Sequence, residues 1–422
     1  MLNTLDYDSF MKTTQDASFI DEGTLRQVRT IIEGVRQDKD NALYRYTKLF
    51  DFADISTLRI EQSVIDKAYA QTDKLLIDDL KKAYQSIEAF HKKQIESGYM
   101  LKSNKDQITG QKVTPIARVG IYVPGGKAAY PSTVLMNAIP AKVAGVKELV
   151  MITPPSQDGS VNQTILAAAK LCGIKEVYRI GGAQGIAALA YGTESIPPVN
   201  KIVGPGNKYV AAAKKEVYGF VGIDMIAGPS EICIYASEDA NPNFIASDLL
   251  SQAEHDESAR VFFITESDTL LDKVNTALNA QLSVLSRETI ARASLRENSL
   301  AIIVSKADEA IDVINKIAPE HLELMTPNNP YLVENITNAG AIFLGDYSPE
   351  ALGDYCAGPN HTLPTNTSAR FSSPLGVYDF IKRTSIINYT KQGLKEAKDS
   401  IIRVAEKEGL TAHAEAIRKR FE

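Results

Sequence analysis

Between residues 204 and 413 the polar chemistry of the chain gathers in five short phrases, GPGN, AGPSE, DLLSQAEHD, PEHLE and GDYCAGPNHTLPT, closed by EGLTAH. Four of the five histidines lie in them, beside Gln, Asp and Glu, which is the residue mix of a metal or proton-transfer site. Asn241-Pro242 supplies a cap and a first-turn proline for a helix on which Gln252 and His255, three apart, share a face and converge as metal ligands do. A capped surface helix ending in polar residues is the competing reading. Asp354 and His361 lie in a stretch rich in Gly and Pro, expected to be a shaped loop after the strand AIFLG, at the carboxyl end where open parallel sheets place ligands. A plain turn is the alternative for Asp354. Glu408 and His413 bracket a break at which Gly409 ends one helix and Thr411 caps the next. His413 in a first helical turn suits a neutral imidazole, because a cation is disfavoured there; surface decoration is the alternative.

Oxygens from Gln252 and Asp354 with nitrogens from His255 and His413 would form a mixed set that suits zinc better than calcium or magnesium. In PEHLE, Pro319 is expected to open a helical turn that sets Glu320 and His321 about a quarter turn apart. Two adjacent proton-transfer groups fit a reaction with more than one acid–base event, although an ordinary amphipathic helix start is a fair competitor.

These residues need a scaffold. Leu25, Val28, Ile31, Ile32 and Val35 recur at helical spacing, and IDDLKKAYQSIEAFHKKQIE continues the pattern, with His91 read there as a structural histidine. From 118 onward short apolar runs alternate with helices, as in RVGIYVPGG followed by PSTVLMNAIPAKVAG, and four such units predict a parallel sheet covered on both faces over about 120–230. EICIYAS, VFFITES, SLAIIVS and AGAIFLG resume the alternation. The fold class expected is α/β with two Rossmann-like doubly wound domains, one inserted in the other. The division expected is an arm at 1–15, a discontinuous domain of 16–119 and 231–373, an insert at 120–230 and a helical tail at 374–422. The last helix offers only alanines, Ile417 and Phe421 for burial, so it must dock elsewhere. GGAQG and GPGN sit between strand and helix, where backbone amides approach phosphates, but neither is GxGxxG, so they support a dinucleotide only weakly.

At 422 residues the chain exceeds one ordinary core. A net charge of −6 with scattered Lys and Arg argues against a nucleic-acid partner and for a small molecule. The three cysteines, Cys172, Cys233 and Cys356, have no CxxC spacing and read as free thiols in a reducing compartment. The acidic N-terminal stretch has no apolar run, and no segment has membrane-span length, so a cytoplasmic protein with no membrane partner is expected.

Taken together, IEAFHKK, YVPGG, STVLM, GGAQ, GTES, GPGN, DMIAGPSE, SDLLSQAEH, PEHL, GDY, NHTLPT, KRTS and LTAH, in that order, resemble the histidinol dehydrogenase family over nearly the whole chain. The resemblance implies an NAD-dependent enzyme that oxidises histidinol through the aldehyde to histidine, reducing two NAD, with one zinc per site. It places zinc on Gln252, His255, Asp354 and His413, and proton transfer on Glu320 and His321. Substrate contacts fall on Ser230 and Glu408 besides Gln252, His255, His321, Asp354 and His413, and NAD contacts on Tyr122, Gln184 and Asn207. His361 takes a supporting role. It further implies an intertwined homodimer whose tail crosses over, so that His413 completes the partner's site. A zinc hydrolase of a small amino-acid derivative, with Glu320 activating water and no redox step, is the main alternative. A thiol intermediate is not implied, because Cys233 and Cys356 fall outside the family's motif positions.

Overall fold

The computed structural model describes residues 2–14, 20–125 and 129–422; Gly126 of YVPGG and part of the N-terminal stretch lie outside them. In chain order the strands are β1 (Asn3–Asp6), β2 (Tyr99–Asn104), β3 (Gln107–Pro115), β4 (Arg118–Tyr122), β5 (Glu148–Thr153), β6 (Glu176–Arg179), β7 (Lys201–Val203), β8 (Gly222–Ile223), β9 (Glu231–Ala236), β10 (Arg260–Thr265), β11 (Ser299–Ile303), β12 (His321–Met325), β13 (Ala341–Leu344) and β14 (Ile381–Tyr389). They form two parallel sheets and one small antiparallel sheet.

The first parallel sheet has five strands in the order β6-β5-β4-β7-β8. Every residue of β4 is buried, as expected of a strand covered on both faces. Strand order reverses between β4 and β7, so the helices that follow them leave to opposite sides and open a crevice at their carboxyl ends. The residues at that crevice are Tyr122, the last of β4, and Gly204, which follows β7.

The second parallel sheet has six strands, β1-β11-β10-β9-β12-β13. Residues 3–6 of the expected arm are therefore an edge strand, in register with Leu300–Ile303. The helical region before the insert packs differently from the grouping of 16–119 with 231–373. The helix Glu22–Phe50 turns Leu25, Val28, Ile31, Ile32 and Val35 onto Ile186, Leu189 and Val210, beside the first sheet. Gln62–Gln71 and Lys74–Lys92 pack on Gln163–Leu171 and Pro131–Ala144. The physical reason is the shallow surface of the Ala-rich helices Gly182–Tyr191 and Lys208–Val217, which needs larger apolar side chains to cover it.

Two local expectations are corrected. PEHLE opens no helical turn: His321–Met325 is β12, paired with β9 on one side and β13 on the other, and all five residues are buried. A short His-Leu-Glu-Leu-Met run satisfies either period, and pairing on both edges decides for the strand. Asp354 lies not in a loop but in the short helix Glu350–Tyr355, after which Gly358 at φ +104° begins the irregular segment. The tail helices Lys391–Lys407 and Thr411–Arg418 pack on each other after β14, the second capped by Leu410 rather than Thr411.

Candidate active site

Two elements of the second sheet begin side by side. Glu231 opens β9, His321 opens β12, and the register sets His321 opposite Ile232. His321 Nδ1 lies 2.9 Å from the Glu231 carbonyl oxygen, a group that only accepts, so Nδ1 carries the proton and Nε2 is left as the basic nitrogen. Burial lowers the His321 pKa and keeps the ring neutral. Glu320 accepts from the Glu231 backbone N–H at 2.8 Å, and its other near neighbour is His321 Nδ1 at 3.7 Å. Burial, reinforced by Glu231, Glu350 and Asp354, raises its pKa well above the carboxylate range. A neutral imidazole and a carboxyl whose pKa is raised thus sit in one buried corner. Because Glu231 and His321 start their strands, the corner lies at the amino edge of the sheet rather than at the carboxyl end expected for Asp354.

Helices running back across the sheet bring the ligand set there. Asn241 caps Pro242–Ala253 by accepting from Asn243 N at 2.9 Å, and the helix ends with Gln252 fully buried and His255 just beyond it. Glu350–Tyr355 brings in Glu350 and Asp354. Ligand atoms of His255, Glu350 and Asp354 all lie within 4.8 Å of one another. The Gln252 amide joins them, one of its two terminal atoms lying 3.1 Å from Glu350 Oε1, 3.2 Å from the Glu231 carbonyl and 3.1 Å from His321 Nδ1. Burial, with Glu350 adding repulsion, raises Asp354 to about 6, and burial raises Glu350 to about 8. Carboxyl groups crowded in this way gain most from a cation. His255 stands at the rim; the surrounding protein and His321 lower its pKa. His361 Nδ1 lies 3.7 Å from Asp354 Oδ1, and burial together with His321 lowers its pKa to about 4, which keeps the ring neutral.

A separate cavity of about 1150 Å³ opens at the switch point of the first sheet, lined by Tyr122, Gln184, Asn207, Asp51, Gly182 and Pro154 among others. Both polar atoms of Gln184 are buried without a hydrogen-bond partner, and so is Asp51 Oδ2. Tyr122 OH accepts from Gly182 N at 3.3 Å. Unsatisfied buried polar groups beside a cavity of this size fit a long ligand carrying many donors and acceptors.

The fold therefore gathers Gln252, His255, Asp354, Glu320 and His321 in one place, and Tyr122, Gln184 and Asn207 in another. Ser230 directly precedes Glu231 and joins the first group through it. Glu408 and His413 are exposed on the tail, away from both. Four carboxyl groups escaped the sequence reading: Glu231, Glu323, Glu350 and Asp248. Glu323 Oε1 accepts from Glu350 N at 2.7 Å, which fixes the start of the helix carrying Asp354. Burial and then Asp248 raise Glu323 to about 9. The signal was visible: EICIYA and HLELM each put a Glu in an apolar strand, where an acid must have a partner. Cys233 is buried within β9, and burial pushes its thiol far above the thiolate range, so it is no nucleophile. His91 is buried too, with Nδ1 2.8 Å from the Ile87 carbonyl, in keeping with a structural role.

Residues 14–421 match the family model described as histidinol dehydrogenase. The chain is 53% identical over 396 residues to a histidinol dehydrogenase of Listeria monocytogenes, covering 94% of this chain and 92% of that one. It is 51% identical over 403 residues to one of Oceanobacillus iheyensis, covering 96% and 93%. Its structure is similar to the crystal structure of histidinol dehydrogenase from Elizabethkingia anophelis, with a TM-score of 0.93, 38% identity and coverage of 100% and 98%.

Proposed function

The chain belongs to the histidinol dehydrogenase family, and from that premise we propose how its residues divide the work. It is an oxidoreductase of histidine biosynthesis that acts on histidinol. What the reading adds is the zinc, the two NAD and the residue that serves each.

The donors in the corner suit zinc: an imidazole from His255, an amide oxygen from Gln252 and a carboxylate from Asp354, with His413 of a second copy as fourth ligand. Glu350 is the buried acid behind them. The switch-point cavity takes NAD, with Tyr122, Gln184 and Asn207 as contacts. Zinc, when bound, orients the substrate's nitrogens, and NAD accepts the electrons of each oxidation. His321 removes the hydroxyl proton through Nε2, because Nδ1 is committed to the Glu231 carbonyl. Glu320, in its ionised form, then takes a proton from water as the water adds to the aldehyde. His321, once it has passed the first proton to solvent, takes the next from the hydrate. Ser230 and Glu408 hold the substrate, Glu408 arriving from the partner with the tail. No step needs a thiol.

The observation that carries this reading is the meeting of a three-residue cluster of ligand-type groups, running from buried Glu350 to the rim at His255, with a buried imidazole whose Nδ1 faces the Glu231 carbonyl. The test is stoichiometry. Purified protein given histidinol and excess NAD should reduce about two NAD per histidinol, and each chain should hold one zinc. Consumption of histidinol without any NADH absorbance would instead favour the hydrolase. No helix among the described residues is long and apolar enough to cross a membrane, and the reading places the enzyme in the cytoplasm with no nucleic-acid partner.

A further inference from the structure

The coenzyme cavity and the catalytic corner belong to different sheets, yet the chain passes from one to the other in a few residues, from β8 through Asp224 to Ser230 and β9. An ion pair sits at that crossing. Lys214, in the helix Lys208–Val217, pairs with Asp224, and their side chains are 1% and 0% exposed. Lys214 Nζ donates to the Gly204 carbonyl at 2.9 Å, and Gly204 N donates to Asp224 Oδ2 at 2.8 Å. Met225 N donates to the other oxygen, Oδ1, at 2.7 Å. Both backbone groups of Gly204 are thus committed to one pair, and the same carboxylate holds the first residue of the segment that ends at Ser230.

Gly204 has no freedom to move away. Its φ is +113°, and a Cβ there would lie 2.2 Å from the Tyr122 carbonyl oxygen, so the loop is pressed onto the end of β4. At the other end of the loop Asn207 caps the next helix, accepting from Tyr209 N at 3.0 Å and Val210 N at 3.2 Å. Downstream, Gly228 N donates to Thr365 Oγ1 at 2.6 Å, tying the Ser230 segment to the stretch after His361.

Stability alone is a weak reason for such a pair, since well-packed neutral replacements of a buried ion pair are often no less stable. The hydrogen-bond inventory is more telling. Two N–H donors on two different segments converge on two oxygens, and of the side chains of this size only a carboxylate accepts at both; an Asn would present a donor to one of them. We propose that Lys214 and Asp224 are positioning residues that lock the coenzyme loop Gly204–Asn207 and the substrate segment Met225–Ser230 into one unit. Binding at one site then depends on the geometry of the other. The inference rests on the reading that the cavity takes NAD and that Ser230 meets the substrate.

The test replaces both charges together, as Lys214→Met with Asp224→Asn, in the zinc-loaded full-length enzyme. The melting temperature should fall by no more than the loss of these buried hydrogen bonds accounts for, leaving the variant folded at the assay temperature. NADH affinity, measured by calorimetry, should fall about tenfold or more, the change expected when a charge-assisted hydrogen bond is lost. KM should rise for NAD and for histidinol together, with kcat at saturation little altered. Unchanged NADH affinity and unchanged KM values would overturn the proposal. Gln184→Ala is the control. If it leaves NADH affinity intact, the coenzyme reading of the cavity fails; if it weakens NADH while the double variant does not, only the positioning role fails. Should the double variant not fold, amide hydrogen exchange on the parent enzyme decides. Peptides covering 203–207 and 223–230 should be protected without ligand and open together; free exchange of one beside protection of the other would overturn the inference.

Discussion

In the proposed mechanism His321 depends on what its other nitrogen is doing. With Nδ1–H given to the Glu231 carbonyl at 2.9 Å, the ring is oriented and its tautomer set before substrate arrives. His321→Asn should therefore lower turnover by about 10²- to 10⁴-fold, the range for loss of a general base, while zinc content stays at the parent level. Kinetics beside metal analysis would check this, and a near-normal rate would remove His321 from the mechanism. Because burial lowers its pKa, the acid limb of the kcat profile should fall below the usual histidine value of 6.5: activity persists above that limb and is lost as the ring protonates on acidification. The acids behave in the opposite way. Asp354 at about 6 and Glu350 at about 8 bind protons that a metal must displace. Zinc affinity of the metal-free protein should rise with pH through that window, with protons released on binding. Calorimetry in buffers of different ionisation heat measures the release, and zinc uptake at pH 6 without it would contradict the cluster.

At the scale of elements, what was legible was periodicity and what was not was pairing. The helix Pro242–Ala253 could be foreseen from its cap and first-turn proline, but it ends before His255, which lies beyond the C-cap rather than on a helix face shared with Gln252. The strand–helix texture likewise announced both parallel sheets. PEHLE misled because five residues cannot distinguish periods, and only the strands on either side of β12 resolve them. Glu323 stood out as an acid in an apolar strand, but its partner Glu350 did not: the two are twenty-seven apart in sequence and meet only because the helix after β13 runs back over β12. That contact can be tried directly. Glu323→Ala leaves the Glu350 N–H without an acceptor, which should cost roughly 1–3 kcal/mol and loosen the helix that carries Asp354, so both melting temperature and zinc affinity should drop. Glu323→Gln keeps an acceptor and should recover most of each. Equal zinc affinity in the two variants would disconnect Glu323 from the metal.

At the scale of the whole molecule, one chain assembles only part of its proposed ligand set. Glu408 and His413 are exposed, and the tail that carries them makes its main contacts with itself and β14. A crossing tail is a low-cost route to a symmetric dimer, and it makes a clean experiment. His413→Asn and His255→Asn subunits, each inactive alone, should regain activity when mixed under conditions of demonstrated subunit exchange, since some mixed dimers then hold one intact site. Exchange without recovery would keep every site within a single chain.

The three-stranded sheet β14-β3-β2 adds a consequence of its own. All six residues of β2 are exposed, Tyr99, Met100 and Leu101 each by more than half, and its outer edge offers unpaired backbone groups among the described residues. An apolar ribbon with an open edge is a template for stacking onto any other extended chain. A copy whose edge stays uncovered would thus be drawn into fibrous or amorphous deposits, and the working lifetime of the enzyme would be governed by how rarely that edge meets another extended chain.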